Sequence, residues 1–270
     1  MTVLSLAEKL KWMELPLRRY VLPDRFYRVE IETVSSCNRK CGYCPVAYDP
    51  RPGHRMPEPL FLSIIDQLAE MRFRGRFSPH FFGEPLVDKR LPRLVAEVKK
   101  RLPKVQVVIY TNGDLLDYAA AEALIEAGVG LFIVTYEDEE PPAMADLRAR
   151  MAPARLRLHV SPRQFRRDVK APYNRAGTVL FPGSELHHSA CVSPATTLVV
   201  DAWGRVKLCP NDYYGREDWG DLDTERLADI WRRPDFVALR RALMAGRFEK
   251  KTCRECAGID PPSAPLATYR

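Results

Sequence analysis

Segments that alternate apolar and polar residues like β-strands follow one another along much of the chain, separated by segments with helical spacing. In the stretches 60–71 and 91–102, for example, apolar side chains recur every three or four positions and share one helical face. Strands that alternate with helices form parallel sheets, and a long series of such units curls into a complete or partial barrel. We therefore expect an α/β fold, a partial (β/α)6 barrel. Its predicted strands are 26–33, 77–82, 105–110, 131–136, 156–160 and 177–181.

This pattern changes near Pro182–Gly183. The segment 196–210 alternates on either side of a turn-forming sequence and predicts a β-hairpin, and a helical stretch follows it. A small C-terminal α+β domain made of a hairpin and helices is the expected result. The predicted divisions are an N-terminal helix at 1–25, a barrel-like core at 26–182 and the small domain at 183–270.

Composition argues against several classes of protein. The chain has 270 residues and 46% hydrophobic residues, enough to bury a large core. No segment approaches the ~18 consecutive apolar residues of a membrane span, and the first residues lack the apolar core of a secretion signal. The net charge of +7 is spread along the chain, without the clustered basic stripe of a nucleic-acid-binding surface. We expect a cytoplasmic protein with neither membrane nor nucleic acid as a partner.

Three cysteines, Cys37, Cys41 and Cys44, occur within a few positions directly after the first predicted strand. Zinc and mononuclear iron sites normally need four such ligands. Three thiolates can instead hold a cubane 4Fe–4S cluster in which one iron stays free to bind a small molecule. A chance loop or an incomplete zinc site is the alternative for the triplet taken alone.

The triplet, in the order Cys-x3-Cys-x2-Cys with Tyr43 before the last cysteine, resembles the signature of the radical S-adenosylmethionine (SAM) superfamily. In that family the free iron binds the amino and carboxylate groups of SAM. The sequence FFGEP at 81–85 is similar to the family's GGEP motif, with Phe82 in place of the first glycine. YTNG at 110–113 and VTYED at 134–138 end the next two predicted strands, where family members bind SAM. The resemblance thus implies SAM contacts by Tyr43, Phe82, Gly83, Glu84, Pro85, Thr111, Asn112, Thr135 and Glu137.

A second set of cysteines lies in the C-terminal region. Two belong to the predicted hairpin and two to a later Cys-x2-Cys sequence, so that together they can close a four-thiolate site for zinc or for a fully ligated iron–sulfur cluster. On this chemistry alone, zinc is favoured. The region also resembles the shortened SPASM domain, called Twitch, which implies an auxiliary 4Fe–4S cluster instead. Its ligands would be Cys191, Cys209, Cys253 and Cys256.

With three cysteines assigned to one cluster and four to the other, none of the seven is left over. An epimerase of this family commonly returns a hydrogen atom from a cysteine thiol, whereas an auxiliary cluster can accept an electron. We therefore expect oxidation of a small hydroxylated substrate, an aminocyclitol or sugar alcohol, to a ketone. A peptide-modifying SPASM-type maturase, an epimerase and a non-catalytic zinc or redox scaffold are the alternatives. Flavodoxin or ferredoxin is the expected electron donor.

Residues that contact the substrate are harder to predict. Arg175, in a segment that resembles a short motif near the last barrel strand, is expected to bind a substrate hydroxyl or carboxylate, or else to form a structural ion pair. Its guanidinium is too basic to act as a general base. Asn211 and Asp212 follow a cluster ligand and either face the cavity or stabilise a turn. His80 points into the cavity or packs within its strand, and His187–His188 is expected to bind no metal.

Overall fold

A computed structural model describes residues 25–136, 142–150, 157–162, 175–180, 190–217, 219–263, 265 and 267–268. The predicted N-terminal helix lies outside these residues, apart from Arg25. The same is true of Glu137 and of His187–His188, so that the expectations for them stay predictions.

Nine strands are found in the described part of the chain, and seven of them form one sheet. The first five predicted strands are confirmed, although the second is shorter than expected and leaves His80 in the loop after it. The strands are β1 Arg28–Ile31, β2 Arg76–Ser78, β3 Gln106–Thr111, β4 Val129–Tyr136, β5 Arg157–Pro162, β6 Val179–Leu180, β7 Thr197–Val200, β8 Val206–Lys207 and β9 Ala267–Thr268.

The large sheet has the strand order β5-β4-β3-β2-β1-β7-β8. All neighbours pair in parallel except β7 and β8, which form the predicted hairpin. Because β5 and β8 lie at opposite ends of this order, the sheet is open. The expected partial barrel is confirmed, and the carboxyl ends of β1 to β4 lie side by side along one edge.

The predicted sixth barrel strand does not join this sheet. β6 contains only Val179–Leu180 and pairs with β9 in a separate two-stranded sheet. The place beside β1 is taken by β7, in register from Arg28 opposite Thr197 to Ile31 opposite Val200. All four residues of β7 are buried, as expected for a strand within a sheet, so the hairpin assigned to the small domain extends the sheet of the core.

Helices pack against the sheet, and capping residues or glycines mark the ends of some of them. Asp117 caps one helix by accepting a hydrogen bond from the amide of Ala120 (2.8 Å), and Gly128 follows its end with φ +110°. The apolar face predicted for 60–71 is buried at Phe61, Ile64 and Leu68. The helices are α1 Glu58–Glu70, α2 Leu91–Arg101, α3 Tyr118–Glu126, α4 Pro142–Arg150, α5 Ser193–Thr196, α6 Leu227–Arg232, α7 Pro234–Met244 and α8 Lys251–Cys256.

One hydrophobic core contains side chains from the sheet, from the helices of the first part of the chain and from the helices of the last part. It contains Phe61 and Phe77 from the first part of the chain and Leu198, Trp231 and Phe236 from the last part. Burial of such aromatic and aliphatic side chains contributes roughly 1.5–3 kcal/mol each relative to leaving them exposed. Among the described residues, no helix combines the length and apolar character needed to cross a bilayer. The predicted boundary near residue 182 stays a prediction.

Candidate active site

The first cysteine loop begins where β1 ends. Cys37, Cys41 and Cys44 are all half-buried in it. A turn closes between the last two, since the amide of Cys44 donates to the carbonyl of Cys41 (2.9 Å). The amide of Arg39 lies 3.4 Å from Sγ of Cys37. An amide that donates to sulfur favours the thiolate, the form in which cysteine binds iron.

The FFGEP loop packs directly on this cysteine loop. A Cβ atom at Gly83 would lie 1.9 Å from the carbonyl oxygen of Val34, so a side chain has no room there. The next amide, that of Glu84, donates to the carbonyl of Ser36 (3.0 Å). Glycine is therefore required for the close approach of two backbones, independently of any cofactor.

Glu84 is buried and holds two strand ends together. Its Oε1 accepts hydrogen bonds from Thr111 Oγ1 (2.7 Å) and the amide of Leu86 (3.1 Å), and its Oε2 accepts one from the amide of Asn112 (3.0 Å). Burial raises the pKa of Glu84, while these hydrogen bonds act in the opposite direction. Asn112 also donates through Nδ2 to Asn38 Oδ1 in the cysteine loop (2.9 Å).

Several residues predicted to bind SAM are therefore brought together beside the cysteine loop. Glu84, Thr111 and Asn112 are linked by hydrogen bonds, and Thr135 lies near the end of β4, the strand next to β3. Phe82 and Pro85 flank Gly83 and Glu84, and both are buried. Their proximity agrees with a shared site, and SAM binding by each of these residues stays a prediction.

Sequence reasoning missed Glu32, which organises the same loop. Its Oε1 accepts hydrogen bonds from the amides of Phe82 (3.0 Å) and Gly83 (2.8 Å), and its Oε2 accepts from Arg51 Nη1 (2.9 Å) and the amide of Ala202 (3.2 Å). The alternation in β1 contained a signal for it. Arg28, Glu30 and Glu32 stand at every second position between apolar residues, so they share one face of the extended segment. A charged face on a strand of the core predicts that this face lines a polar interior of the barrel.

The four cysteines of the second set line one cavity of about 340 Å³. Cys191 precedes α5, Cys209 follows β8, and the other two lie in α8. Burial, together with the neighbouring thiols, raises the pKa of Cys253 to about 12 and that of Cys256 to about 11. The mutual effect of these groups indicates that the structure brings them together, as the sequence predicted.

Backbone amides also approach these sulfurs. The amides of Ser193, Asn211 and Ala176 lower the pKa values of Cys191, Cys209 and Cys256 by hydrogen bonding, against the larger effect of burial. Hydrogen bonds to the sulfurs are a general feature of iron–sulfur sites and tune their potentials. The donor set of four thiols, three of them with amide partners, therefore fits a cluster.

Among the described residues, no three Cys, His, Asp or Glu side chains come as close together as the ligands of one metal ion do. A cubane cluster places its irons at alternate corners of a cube and binds one thiolate at each, so that it spaces its ligands more widely.

Polar residues from the barrel complete the cavity. Arg28 and Glu30 come from β1, and Tyr110 from β3. The remaining polar side chains of the wall, besides the cysteines, are His80, Arg175, Ser193, Asn211 and Thr252.

Arg175 lies between the two cysteine sets. Its Nη1 is 3.5 Å from Asn211 Oδ1, and its Cζ is 5.8 Å from the ring centre of Tyr43. Arg175 has φ +50° and Ala176 has φ +53°, a left-handed conformation that is unfavourable for residues with a side chain. Such strain persists where the surroundings enforce it and is frequent at functional sites.

The structure separates the other two substrate candidates. Asn211 lines the cavity, but Asp212 is not among the lining residues. Asp212 Oδ1 accepts a hydrogen bond from the amide of Arg216 (3.3 Å), the arrangement expected for a residue that stabilises a turn. Burial raises the pKa of Asp212. A catalytic role for it stays an untested prediction.

His80 does line the cavity. Its ring stacks on Tyr110 with 4.6 Å between ring centres, and Nδ1 lies 2.9 Å from Ser78 Oγ. Burial, reinforced by the charge of Arg175, lowers the pKa of His80 to about 4. The imidazole is therefore neutral near pH 7.

Comparison with known families decides what these two sites are. The family model of the Radical SAM superfamily matches residues 31–178, which include the first cysteine loop and the strand ends beside it. The chain belongs to the radical SAM superfamily. The model described as an iron–sulfur cluster-binding domain, SPASM, matches residues 191–257, which include the second cysteine set. The cofactors of this radical SAM enzyme are accordingly SAM and iron–sulfur clusters, as the resemblance implied.

Relatives of similar length are also found. The chain is 30% identical over 237 residues to the S-adenosyl-L-methionine-dependent 2-deoxy-scyllo-inosamine dehydrogenase of Niallia circulans, covering 87% of this chain and 94% of the relative. The crystal structure of BtrN in complex with AdoMet and 2-DOIA matches with a TM-score of 0.76 at 28% identity, covering 90% of this chain and 97% of that chain.

Similarity to a peptide-modifying enzyme is more restricted. The chain is 34% identical to the PqqA peptide cyclase of Granulibacter bethesdensis over 110 residues, covering 40% of this chain and 28% of that enzyme.

Proposed function

We propose that this radical SAM enzyme is a dehydrogenase that oxidises a secondary alcohol of an aminocyclitol, or of a closely related small polyol, to a ketone. The observation that carries the proposal is the similarity to the 2-deoxy-scyllo-inosamine dehydrogenase, which extends over 87% of this chain and 94% of that relative. When bound, SAM supplies a 5′-deoxyadenosyl radical that removes a hydrogen atom from a substrate carbon.

The chain's own residues bind and orient the alcohol. Arg175 and Asn211 line the cavity that also contains the second cysteine set, and both can donate hydrogen bonds to hydroxyl oxygens. The Arg175 guanidinium lies over the rings of Tyr43 and Phe82, 5.8 Å and 6.0 Å from their centres, where the ring faces attract its positive charge. This arrangement would hold a carbinol between the two cluster sites.

Cavity size favours a small molecule over a peptide. Small-molecule sites typically occupy about 300–1,000 Å³. The cavity of about 340 Å³ is at the low end of that range, and its wall includes the four cysteines whose cluster would fill part of it. A peptide-modifying maturase is therefore the less favoured alternative.

The cysteine count favours dehydrogenation over epimerisation. If three cysteines bind the first cluster and four the second, no thiol among the seven stays available to return a hydrogen atom to the substrate. An auxiliary cluster provides an acceptor for the second electron instead.

We also propose the cytoplasm as the location and a flavodoxin or ferredoxin as the electron donor. A reducing compartment keeps seven cysteines available for clusters. Lys40 is exposed in the first cysteine loop and would favour an acidic redox partner. We expect no nucleic-acid or membrane partner.

The test uses anaerobically reconstituted protein, SAM and 2-deoxy-scyllo-inosamine with deuterium at the carbinol carbon. A dehydrogenase transfers the deuterium to 5′-deoxyadenosine and forms a ketone in equal amount to the SAM consumed. An epimerase instead forms an isomer of the substrate that acquires deuterium from heavy water. Finding that isomer would contradict the proposed function, and mass spectrometry distinguishes the two products.

A further inference from the structure

Glu30 is a buried carboxylate for which neither the motifs nor the cluster sites provide a role. It lies in the middle of β1, is 8% exposed, and lines the cavity that contains the second cysteine set. Arg28 in β1 and Glu32 directly after it follow the same alternation as Glu30, since alternate residues of extended chain point to the same side. Among the described residues that line the cavity, Glu30 is the only carboxylate.

Two other buried carboxylates, Glu32 and Glu84, have the hydrogen-bond partners expected of structural residues. Glu32 accepts hydrogen bonds from three backbone amides and from Arg51, and Glu84 accepts from two amides and Thr111. Within the part of the chain that the structure describes, we find no ion pair with Glu30 and no hydrogen bond to its side chain. The carboxylate oxygens of Glu30 are not among the fully buried unpaired atoms of the described residues, so they open onto the cavity, where a ligand can complete their bonding.

The surroundings of Glu30 hold its pKa near neutrality. Burial raises the pKa of Glu30 to about 7, against the lowering effect of the charges on Arg28 and on Arg76 in β2. His80 is neutral near pH 7. The other titratable groups facing the cavity are Tyr110, Arg175, Cys191, Cys209, Cys253 and Cys256.

Oxidation of an alcohol releases a proton that a protein group has to accept. Arg175 cannot take it, because guanidinium stays protonated, and the neutral His80 is a weak base with a pKa of about 4. A general base works best when its pKa is close to the working pH. Glu30 meets this requirement and lies on the cavity wall.

We propose that Glu30 is the catalytic base that accepts the hydroxyl proton of the substrate alcohol, an inference that rests on the proposed dehydrogenase function. The carbinol C–H hydrogen leaves as an atom to the 5′-deoxyadenosyl radical. The O–H proton moves to a carboxylate oxygen of Glu30. The auxiliary iron–sulfur cluster, held by the second cysteine set, would accept the remaining electron as the C=O double bond forms, so that atoms and charges balance.

The decisive variant is Glu30→Gln, which keeps the size of the side chain and removes its basicity. With reconstituted enzyme and deuterated 2-deoxy-scyllo-inosamine, we expect labelled 5′-deoxyadenosine to form while ketone formation falls by about 100-fold or more. The ratio of ketone to 5′-deoxyadenosine, equal to one in the wild type, should fall in parallel. Glu58→Gln on the surface of α1 makes the same chemical change outside the site and serves as the matched control.

Two further measurements separate a base from a structural residue. Glu30 acts only when ionised, so wild-type ketone formation should rise as the pH increases through about 7, and this rise should be absent in Glu30→Gln. Infrared spectra of the holoenzyme should show a protonated carboxyl that disappears over the same pH range and is missing in the variant. The pH-dependent ketone formation is not expected if Glu30 only supports the fold, and the infrared band identifies Glu30 as the group that ionises over that pH range.

Glu30→Asp retains a carboxylate and covers the case in which the glutamine variant loses its clusters. It should form ketone faster than Glu30→Gln and keep a pH-dependent rate. Equal loss in both variants, or wild-type ketone formation with an unchanged pH profile in Glu30→Gln, would overturn the inference. So would a raised KM with an unchanged kcat, because Glu30 would then only bind the substrate. If the wild type itself makes no ketone, the proposed function fails, and this inference fails with it.

Discussion

At Gly83, two backbone segments come so close together that a methyl group cannot fit between them. A Cβ atom at this position would lie 1.9 Å from the carbonyl oxygen of Val34 and 3.2 Å from that of Ser36. The FFGEP loop is thereby held against the loop that carries Cys37. One glycine therefore sets the spacing between the first cluster site and the strand end that is expected to bind SAM.

We expect Gly83→Ala to displace this loop. Overpacking of this kind typically costs about 1–3 kcal/mol and can cost more where backbone has to move. The free energy of unfolding should fall by at least that amount, and SAM binding should weaken. Gly53→Ala is the matched control, because a Cβ at Gly53 meets nothing within 4 Å. Equal stability of the two variants in urea unfolding would contradict the packing argument.

Glu84 gives a second prediction for a single residue. Glu84→Gln removes a charge and puts an amide nitrogen opposite a backbone or hydroxyl donor. A charge-assisted hydrogen bond contributes about 1.5–3 kcal/mol, so SAM affinity should fall by about 10- to 100-fold while the iron content stays the same. Isothermal titration calorimetry under anaerobic conditions measures the change. Unchanged affinity would show that Glu84 only braces the strand ends.

At the level of elements, the turn before β6 positions Arg175. The hydroxyl of Thr178 donates to the carbonyl of Arg175 (2.6 Å), and the amide of Thr178 donates to the same oxygen (3.2 Å). These bonds stabilise two successive left-handed residues, each of which costs on the order of 1–3 kcal/mol. A Cβ at Gly177 would lie 2.9 Å from Glu255 in α8, so the turn also packs against the second cysteine set.

Thr178→Val should release this turn. Loss of the hydroxyl should cost about 0.5–1.5 kcal/mol of stability and raise the KM for the substrate, because Arg175 loses its fixed position. Thr224→Val is the matched control, since Thr224 Oγ1 makes the same kind of bond to a carbonyl three residues earlier, that of Asp221 (3.3 Å), on the surface. A KM that changes equally in both variants would contradict the positioning role.

For the molecule as a whole, the pairing of β1 with β7 joins the two cluster regions. Both regions are attached to one sheet, and Glu32 binds the amides of Gly83 on one side and Ala202 on the other. Tyr213, shortly after Cys209, donates its hydroxyl to the carbonyl of Asp49 in the segment after the first cysteine loop. The second cysteine set is therefore built onto the core.

Removal of each cluster should separate SAM cleavage from substrate oxidation. Wild-type protein should hold about eight irons, as two 4Fe–4S clusters. Replacement of Cys37, Cys41 and Cys44 by alanine should leave about four irons and abolish 5′-deoxyadenosine formation. Replacement of Cys253 and Cys256 should also leave about four, retain SAM cleavage and block ketone formation. Production of 5′-deoxyadenosine by the triple variant would contradict the assignment of the first site.

Local patterns in the sequence predicted the class of fold and the grouping of the seven cysteines into two sets. Alternation in strands and helical spacing depend on side chains a few positions apart, and ligand spacing in Cys-x3-Cys-x2-Cys is equally local. For the same reason, the strand ends at Glu84 and Thr111 could be matched to a family motif before any contact was known. The first five strands and the hairpin followed from these signals.

The tertiary structure alone decided which strand lies beside β1 and which polar residues face the cavity. Both Val179–Leu180 and Thr197–Val200 read as apolar strands, and only long-range pairing places the second of them in the main sheet. Glu30 in β1 and Glu32 directly after it follow the same alternation along the chain. Glu32 accepts hydrogen bonds from the amides of Gly83 and Ala202, which are distant in the sequence and are brought to it by the fold. Among the described residues, Glu30 receives no such donors and faces the cavity.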